Sequence, residues 1–178
     1  MKNLINLLSW TYSKENKLIV IILVLAVLLA CLIGAFAPLP ANTKLKMIRP
    51  FIESEYPEWK ITGKFYDLRP TGGDGKRGHN AIDYSMPTGT SVIAPADGKI
   101  ILSKYVRGYG NVIYLDHGNG LVSILAHLSE YRKLIGSEVK KGEILAFSGD
   151  TGNSQGRPHL HWAVHLNNVP VHPSQFIF

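Results

Sequence analysis

From Ile61 to the end of the chain, apolar runs of four to six residues alternate with glycine-rich turns, and this alternation constrains the fold more than any other feature. The runs are Ser91–Ala94, Lys99–Ser103, Asn111–Leu115, Leu121–Ala126, Glu143–Phe147 and His161–Leu166. Between them lie Ala96-Asp97-Gly98, Gly108-Tyr109-Gly110, His117-Gly118-Asn119-Gly120 and Gly149-Asp150-Thr151-Gly152. Strand-length runs punctuated in this way predict an all-β, mainly antiparallel sandwich or barrel-like domain. Asn119-Gly120 between two apolar runs predicts a hairpin, because both residues tolerate positive φ. No long helical period survives in this region.

The N-terminal part has a different character. Leu18 to Ala37 is apolar and free of charge. As a helix, about 20 residues at ~1.5 Å each span roughly the 30 Å of a hydrocarbon core. Three readings stay open. A retained transmembrane anchor fits the length of the run and of the segment before it. A cleaved leader fits Ala35-Phe36-Ala37, although Pro38 follows the cut. A lipoprotein fits Leu28-Leu29-Ala30-Cys31, although Leu32 and Ile33 continue the apolar run. Under the first reading, residues 1–17 are cytoplasmic, 18–37 span the membrane, 38–60 form a juxtamembrane linker or helix, and 61–178 form the folded domain. Pro38 and Pro40 end the span, since proline lacks a donor and clashes with the preceding turn. Leu45, Ile48, Phe51 and Ile52 at roughly helical spacing predict a short helix, with Pro57 near its end.

Charge leaves the orientation balanced. Lys2, Lys14 and Lys17 precede the span, and Lys44, Lys46 and Arg49 follow it, so only the N-terminal amine tips the count toward an inside N-terminus. The chain is formally +6, and residues 1–37 contribute Lys2, Lys14, Lys17 and Glu15, so the remainder carries +4. A mildly basic domain suits an anionic surface such as a cell wall. No basic stripe interleaved with aromatics exists, which argues against nucleic acid. Cys31 is the sole cysteine. It excludes an intrachain disulfide and, lying in the apolar run, supplies no thiolate to a metal.

The histidines carry the chemistry. His159 and His161 are two apart in a segment that reads as extended, so their imidazoles share a face. His79, Ala81 and Asp83 also share a face if that stretch is a strand, and flanking Gly75, Gly78, Pro87 and Gly89 disfavour a helix. Imidazoles plus a carboxylate are the donors Zn²⁺ takes in catalytic sites that keep one position open. His127 closes the run Leu121–Ala126, where it is either a core histidine or a residue facing the site. His117 fits a turn, and His165 and His172 fit rim positions.

His79-x-x-x-Asp83, Ala126-His127-Leu128-Ser129, and Gly149-Asp150-Thr151-Gly152-Asn153-Ser154 leading into Pro158-His159-Leu160-His161 follow one another in order. Gly89-Thr90-Ser91-Val92, Ala94-Pro95-Ala96-Asp97-Gly98 and Val171-His172-Pro173 accompany them. From about Ile61 to Phe178 the chain resembles the β-lytic zinc metallopeptidases, the lysostaphin- and LytM-type peptidoglycan endopeptidases. The resemblance implies a domain of the duplicated-hybrid-motif type. It implies Zn²⁺ ligated by His79, Asp83 and His161, with His127 and His159 as catalytic groups flanking the water and the scissile carbonyl. An imidazole titrating near neutrality can take the water proton and later support the oxyanion or protonate the amine. The implied substrate is the peptide cross-link of bacterial peptidoglycan. That substrate lies outside the cytoplasmic membrane, so the domain is expected on the periplasmic or extracellular side of a single-pass anchor. A catalytically silent cell-wall binding or activator module is the rival reading, and the presence of all five site residues argues against it. The chain departs from the family pattern at Ala81, where glycine is usual, at Leu125, where tyrosine is usual, at Ala163, where glutamate is frequent, and by an extra Arg157. None of these removes a ligand or a catalytic histidine.

Overall fold

The computed structural model describes residues 45–70 and 76–177. The apolar run at 18–37 lies outside the described residues; among them no helix is long and apolar enough to cross a membrane. The described chain is all-β, with a single short 3₁₀ turn at Pro173–Gln175. Its main sheet has eight strands, in the order β1 (Lys60–Gly63), β4 (Ile82–Ser85), β12 (His159–Leu166), β8 (Leu121–Leu128), β7 (Gly110–Asp116), β6 (Gly98–Val106) and β10 (Glu138–Val139), with β13 (Val169–Val171) pairing β12. A second sheet joins β5 (Ser91–Ile93), β11 (Ile144–Phe147) and β9 (Glu130–Tyr131), and β2 (Leu68–Pro70) pairs β3 (Lys76–Gly78). All of these pairings are antiparallel. Each of the six predicted apolar runs lies largely within a strand. The turn after β7 holds Gly118, Asn119 and Gly120 at positive φ, and His117 N–H donates to Leu121 O across it.

Strand alternation sends side chains to two sides of the main sheet. Ile82, Tyr84, Leu160, Trp162, Val164, Leu125, Ile113 and Leu115 join Val92 and Leu145 of the three-stranded sheet in one buried cluster. Ala81, Val112, Ile124, Ala126 and Ala163 form a separate, smaller cluster. The residues between those of the large cluster in β4 and β12 include Asp83 and His161, so the polar groups emerge on the side where the small side chains lie.

Residues 45–59 correct one expectation. They form no helix, and Met47, Phe51 and Trp59 pack against the core of the β domain. Local turns bond Glu55 and Tyr56 N–H to Ile52 O, but the backbone of the first part of the segment bonds to distant segments. Met47 N–H donates to Phe176 O, Ile48 N–H to Pro95 O, and Pro50 O accepts from Ile93 N–H. Pro50 also has no amide hydrogen to offer a helix. The apolar spacing read as a helical stripe instead buries Met47 and Phe51 in the main core. Phe51, Trp59 and Tyr84 pack edge-on, with centroids 5.0–5.8 Å apart. Such packing adds about 0.5–1.5 kcal/mol per pair beyond burial.

Candidate metal centre

The register of β4 against β12 places Asp83 opposite His161. Opposed residues on adjacent strands bring their side chains together on one face. His79 arrives differently. The strand begins only at Ile82, so the expected common strand face of residues 79, 81 and 83 is not formed. The backbone of His79 is instead clamped by the turn after β1: His79 N–H donates to Asp67 O, and Tyr66 N–H donates to His79 O. Asp67 steadies that turn by accepting from Lys64 N–H through Oδ2 at 2.7 Å.

Three donors converge. Asp83 Oδ1 lies 2.8 Å from His161 Nδ1 and 3.2 Å from His79 Nε2, and the two nitrogens are 3.3 Å apart. Zinc bonds of about 2.0–2.1 Å in tetrahedral array require donor separations of about 3.3 Å. The donor set is hard-to-borderline N₂O, and His79 and Asp83 are buried. A Zn²⁺ ion therefore fits these residues in both geometry and chemistry. The ring nitrogens behave accordingly. His79 Nδ1–H donates to Lys64 O at 3.0 Å, which leaves Nε2 as the lone-pair nitrogen. A backbone carbonyl behind the imidazole is the usual way to orient a metal-binding histidine. Burial pushes the His161 pKa below its ordinary value, and the neighbouring Asp83 opposes the shift. Burial thus favours the neutral form that a ligand requires.

His127 and His159 stand beside this group. Their rings are 4.6 Å apart, and His127 is 5.6 Å from His161. His159 Nε2 lies 3.9 Å from Asp83 Oδ2. Both rings are held from behind by main-chain oxygens. His127 Nδ1–H donates to Thr151 O at 2.7 Å, and His159 Nδ1–H donates to Arg157 O at 2.6 Å. In the neutral form of each ring, Nε2 is then the acceptor nitrogen. Burial lowers the His127 pKa to about 4, with the Thr151 carbonyl opposing the shift.

The remaining histidines lie apart from this constellation. His117 follows β7 in the turn and is half-buried. Nδ1 lies 2.8 Å from Asp97 O and Nε2 lies 2.9 Å from Ser123 Oγ, which also accepts from Trp162 Nε1–H at 3.3 Å. His172 caps the 3₁₀ turn by accepting from Ser174 N–H at 3.2 Å. His165 is half-buried on β12. Tyr109, whose ring lies 5.6 Å from that of His161, stands beside the site and was missed by sequence reasoning. Its flanking Gly108 and Gly110 were the available signal, read there only as a turn.

The model of peptidase family M23 matches residues 77–173, more than half of the chain. The chain belongs to peptidase family M23. Among similar proteins, the DD-carboxypeptidase/endopeptidase Mpg of Neisseria meningitidis serogroup B is 44% identical over 95 residues, covering 53% of this chain and 22% of that protein. The murein hydrolase activator EnvC of Escherichia coli is 35% identical over 89 residues, covering 50% of this chain and 21% of that protein. A solved zinc-containing peptidase from Vibrio cholerae superposes with a TM-score of 0.63 at 30% identity, covering 70% of this chain and 37% of that one. The chain spans about a fifth of the length of those two curated relatives.

Proposed function

We propose that this M23 member is a zinc endopeptidase that hydrolyses peptide cross-links of bacterial peptidoglycan. In this reading it is held at the cytoplasmic membrane by residues 18–37, with its β domain on the outer side. The observation that carries the proposal is the convergence of the His79, Asp83 and His161 donors next to two further imidazoles whose Nε2 atoms are free to accept protons. Zinc on those donors would supply Lewis acidity and lower the pKa of a water from ~16 to about 7. The protein's own part is positional. His79 and His161 present fixed nitrogens, and Asp83 adds the negative charge that offsets the cation. His159 and His127 stand beside those donors, where one would take the proton of an attacking water and the other would steady the developing oxyanion or protonate the leaving amine. The name of a further relative, the peptidoglycan DD-endopeptidase ShyA of Vibrio cholerae, 34% identical over 116 residues and covering 64% of this chain and 26% of that protein, supports peptidoglycan as the substrate class.

A second reading is favoured by the likeness to a murein hydrolase activator. In that reading the domain positions another cell-wall enzyme and does not itself cut. Zinc analysis of the full-length protein, together with digestion of isolated peptidoglycan, separates the two. The enzyme reading expects bound zinc and release of cross-linked peptides. It also expects His159→Ala to retain zinc while activity falls by about 10²–10⁴. Wild-type protein that neither holds zinc nor releases peptides would establish the activator reading. Recovery of the chain in the carbonate-washed membrane fraction tests the anchor, and recovery in the soluble fraction removes it.

A further inference from the structure

His127 holds φ at +61° near the end of β8. Such a backbone is strained for any residue with a Cβ and persists only where neighbours enforce it. The register explains the location. Ile113 pairs with Leu125 and Asn111 with Leu128, so Ala126 and His127 together oppose the single residue Val112. This is a β-bulge, the device by which a strand re-aims a side chain. Leu125 and Leu128 both belong to the large core cluster, so the extra residue frees His127 from the core face and turns it to the cleft.

The bulge leaves backbone groups that the ladder does not satisfy, and side chains and loop carbonyls from elsewhere take them up. Val112 N–H donates to Tyr131 Oη at 3.2 Å, and His127 N–H donates to Tyr109 O at 2.9 Å. Thr151 does the most. Its hydroxyl accepts from Asn111 N–H at 2.9 Å and donates to Leu128 O at 2.8 Å, bridging the residue pair that closes the bulge. The carbonyl of the same residue accepts from His127 Nδ1–H. The loop carrying Thr151 is pressed against β7 with no room to shift. A Cβ on Gly110 would lie 2.4 Å from Thr151 backbone atoms, and one on Gly152 would lie 2.2 Å from Gly110 N.

We infer that Thr151 is the positioning residue for His127: its hydroxyl bridge across the bulge holds its carbonyl against Nδ1, so that His127 keeps the Nδ1–H tautomer and Nε2 remains the proton acceptor in the cleft. The inference rests on the proposed role of His127 in the cleft. It does not involve the zinc donors, none of which bonds to Thr151 in the contacts described above. A nearby carbonyl alone is not enough, since a loop free to drift by an ångström would let the ring exchange tautomers.

The test uses full-length protein labelled with ¹⁵N and long-range proton–nitrogen spectra of the imidazoles, with and without added zinc. Wild type and Thr151→Ser are expected to show His127 with Nδ1 protonated and shielded from exchange. Thr151→Val, equal in shape but lacking the hydroxyl, is expected to show mixed tautomers and rapid exchange, with zinc content unchanged and hydrolysis reduced about tenfold or more. A Thr151→Val spectrum identical to wild type at His127 overturns the inference, as does a wild-type spectrum with Nε2 protonated. If Thr151→Val does not fold, the wild-type and Thr151→Ser spectra decide: a shielded Nδ1–H in both supports the inference, and an unshielded one overturns it. A tautomer that responds to Thr151 in a protein that cuts nothing would sink the proposed activity and leave the positioning role standing.

Discussion

The two sides of the main sheet are made from the same strands and obey different rules. On the core side, large residues such as Tyr84, Ile113, Leu115, Leu125, Leu160 and Trp162 are fully buried. On the other side, the buried apolar cluster is mostly of smaller residues, Ala81, Ala126, Ala163 and Val112, with Ile124 its one large member. Bulk supplies stability through apolar area removed from water. Small side chains leave room for donors whose positions, rather than volumes, matter. The histidines divide in the same way. His117, bonded to Ser123 on the Trp162 side, completes a buried polar network. His79 and His161 instead direct nitrogens at a shared focus. Being buried and hydrogen-bonded does not by itself distinguish a structural histidine from a ligand. What sets His79 and His161 apart is that a nitrogen of each lies within 3.3 Å of the other and of the Asp83 carboxylate, whereas both ring nitrogens of His117 meet single neutral partners.

This division can be broken by experiment. Trp162→Ala should cost the most, about 3–5 kcal/mol of folding stability, seen as a lowered urea midpoint with and without zinc. A folded Trp162→Ala protein whose zinc affinity collapsed would dissolve the distinction between the two sides. Asp83→Ala should do the reverse, leaving a folded protein that zinc no longer protects. Wild type at a hundredfold excess over Kd gains about 2.7 kcal/mol from a bound ion. Retained protection in the variant, measured by calorimetry, would place the ion elsewhere.

Acidity gives a smaller effect. Burial lowers the pKa of His117 and brings that of His127 to about 4, while an unfolded chain protonates histidine near the ordinary 6.5. Between those values the unfolded state binds more protons, so stability is full above about pH 6.5 and declines as pH falls toward 4. Urea midpoints of the metal-free protein should fall over that window, and His117→Gln should flatten the slope without altering zinc affinity. A midpoint that rises on acidification would contradict the neutral, buried state of these rings. Leu134→Ser, at a residue 60% exposed, should change stability by no more than about 0.5 kcal/mol. A larger loss would mean that the loop packs against something in solution.

The all-β class and the six apolar runs were legible because alternation and glycine turns are local signals. The chemistry-bearing residues were legible because their types and order are distinctive. The short strands β9 and β10 were not, since two residues carry no period and form only where a partner edge awaits them. Residues 45–59 were misread because apolar spacing near 3.6 also arises when a turning chain drops occasional side chains into a core. Tyr109 and Thr151 escaped notice as functional residues because both act partly through carbonyl oxygens, which every residue possesses.

By itself, then, the order of residues determined an antiparallel β domain, since hydrophobic alternation is written in side-chain type, while the set of His79, Asp83 and His161 with His127 and His159 beside it was legible only through a resemblance to a known family. Tertiary structure alone decided which nitrogen each ring presents, that His79 comes from a clamped loop, and that a bulge turns His127 out of the core. Those outcomes depend on backbone oxygens of Lys64, Thr151 and Arg157 brought close by folding. A peptide carbonyl has no identity in sequence until the chain places it within hydrogen-bonding distance.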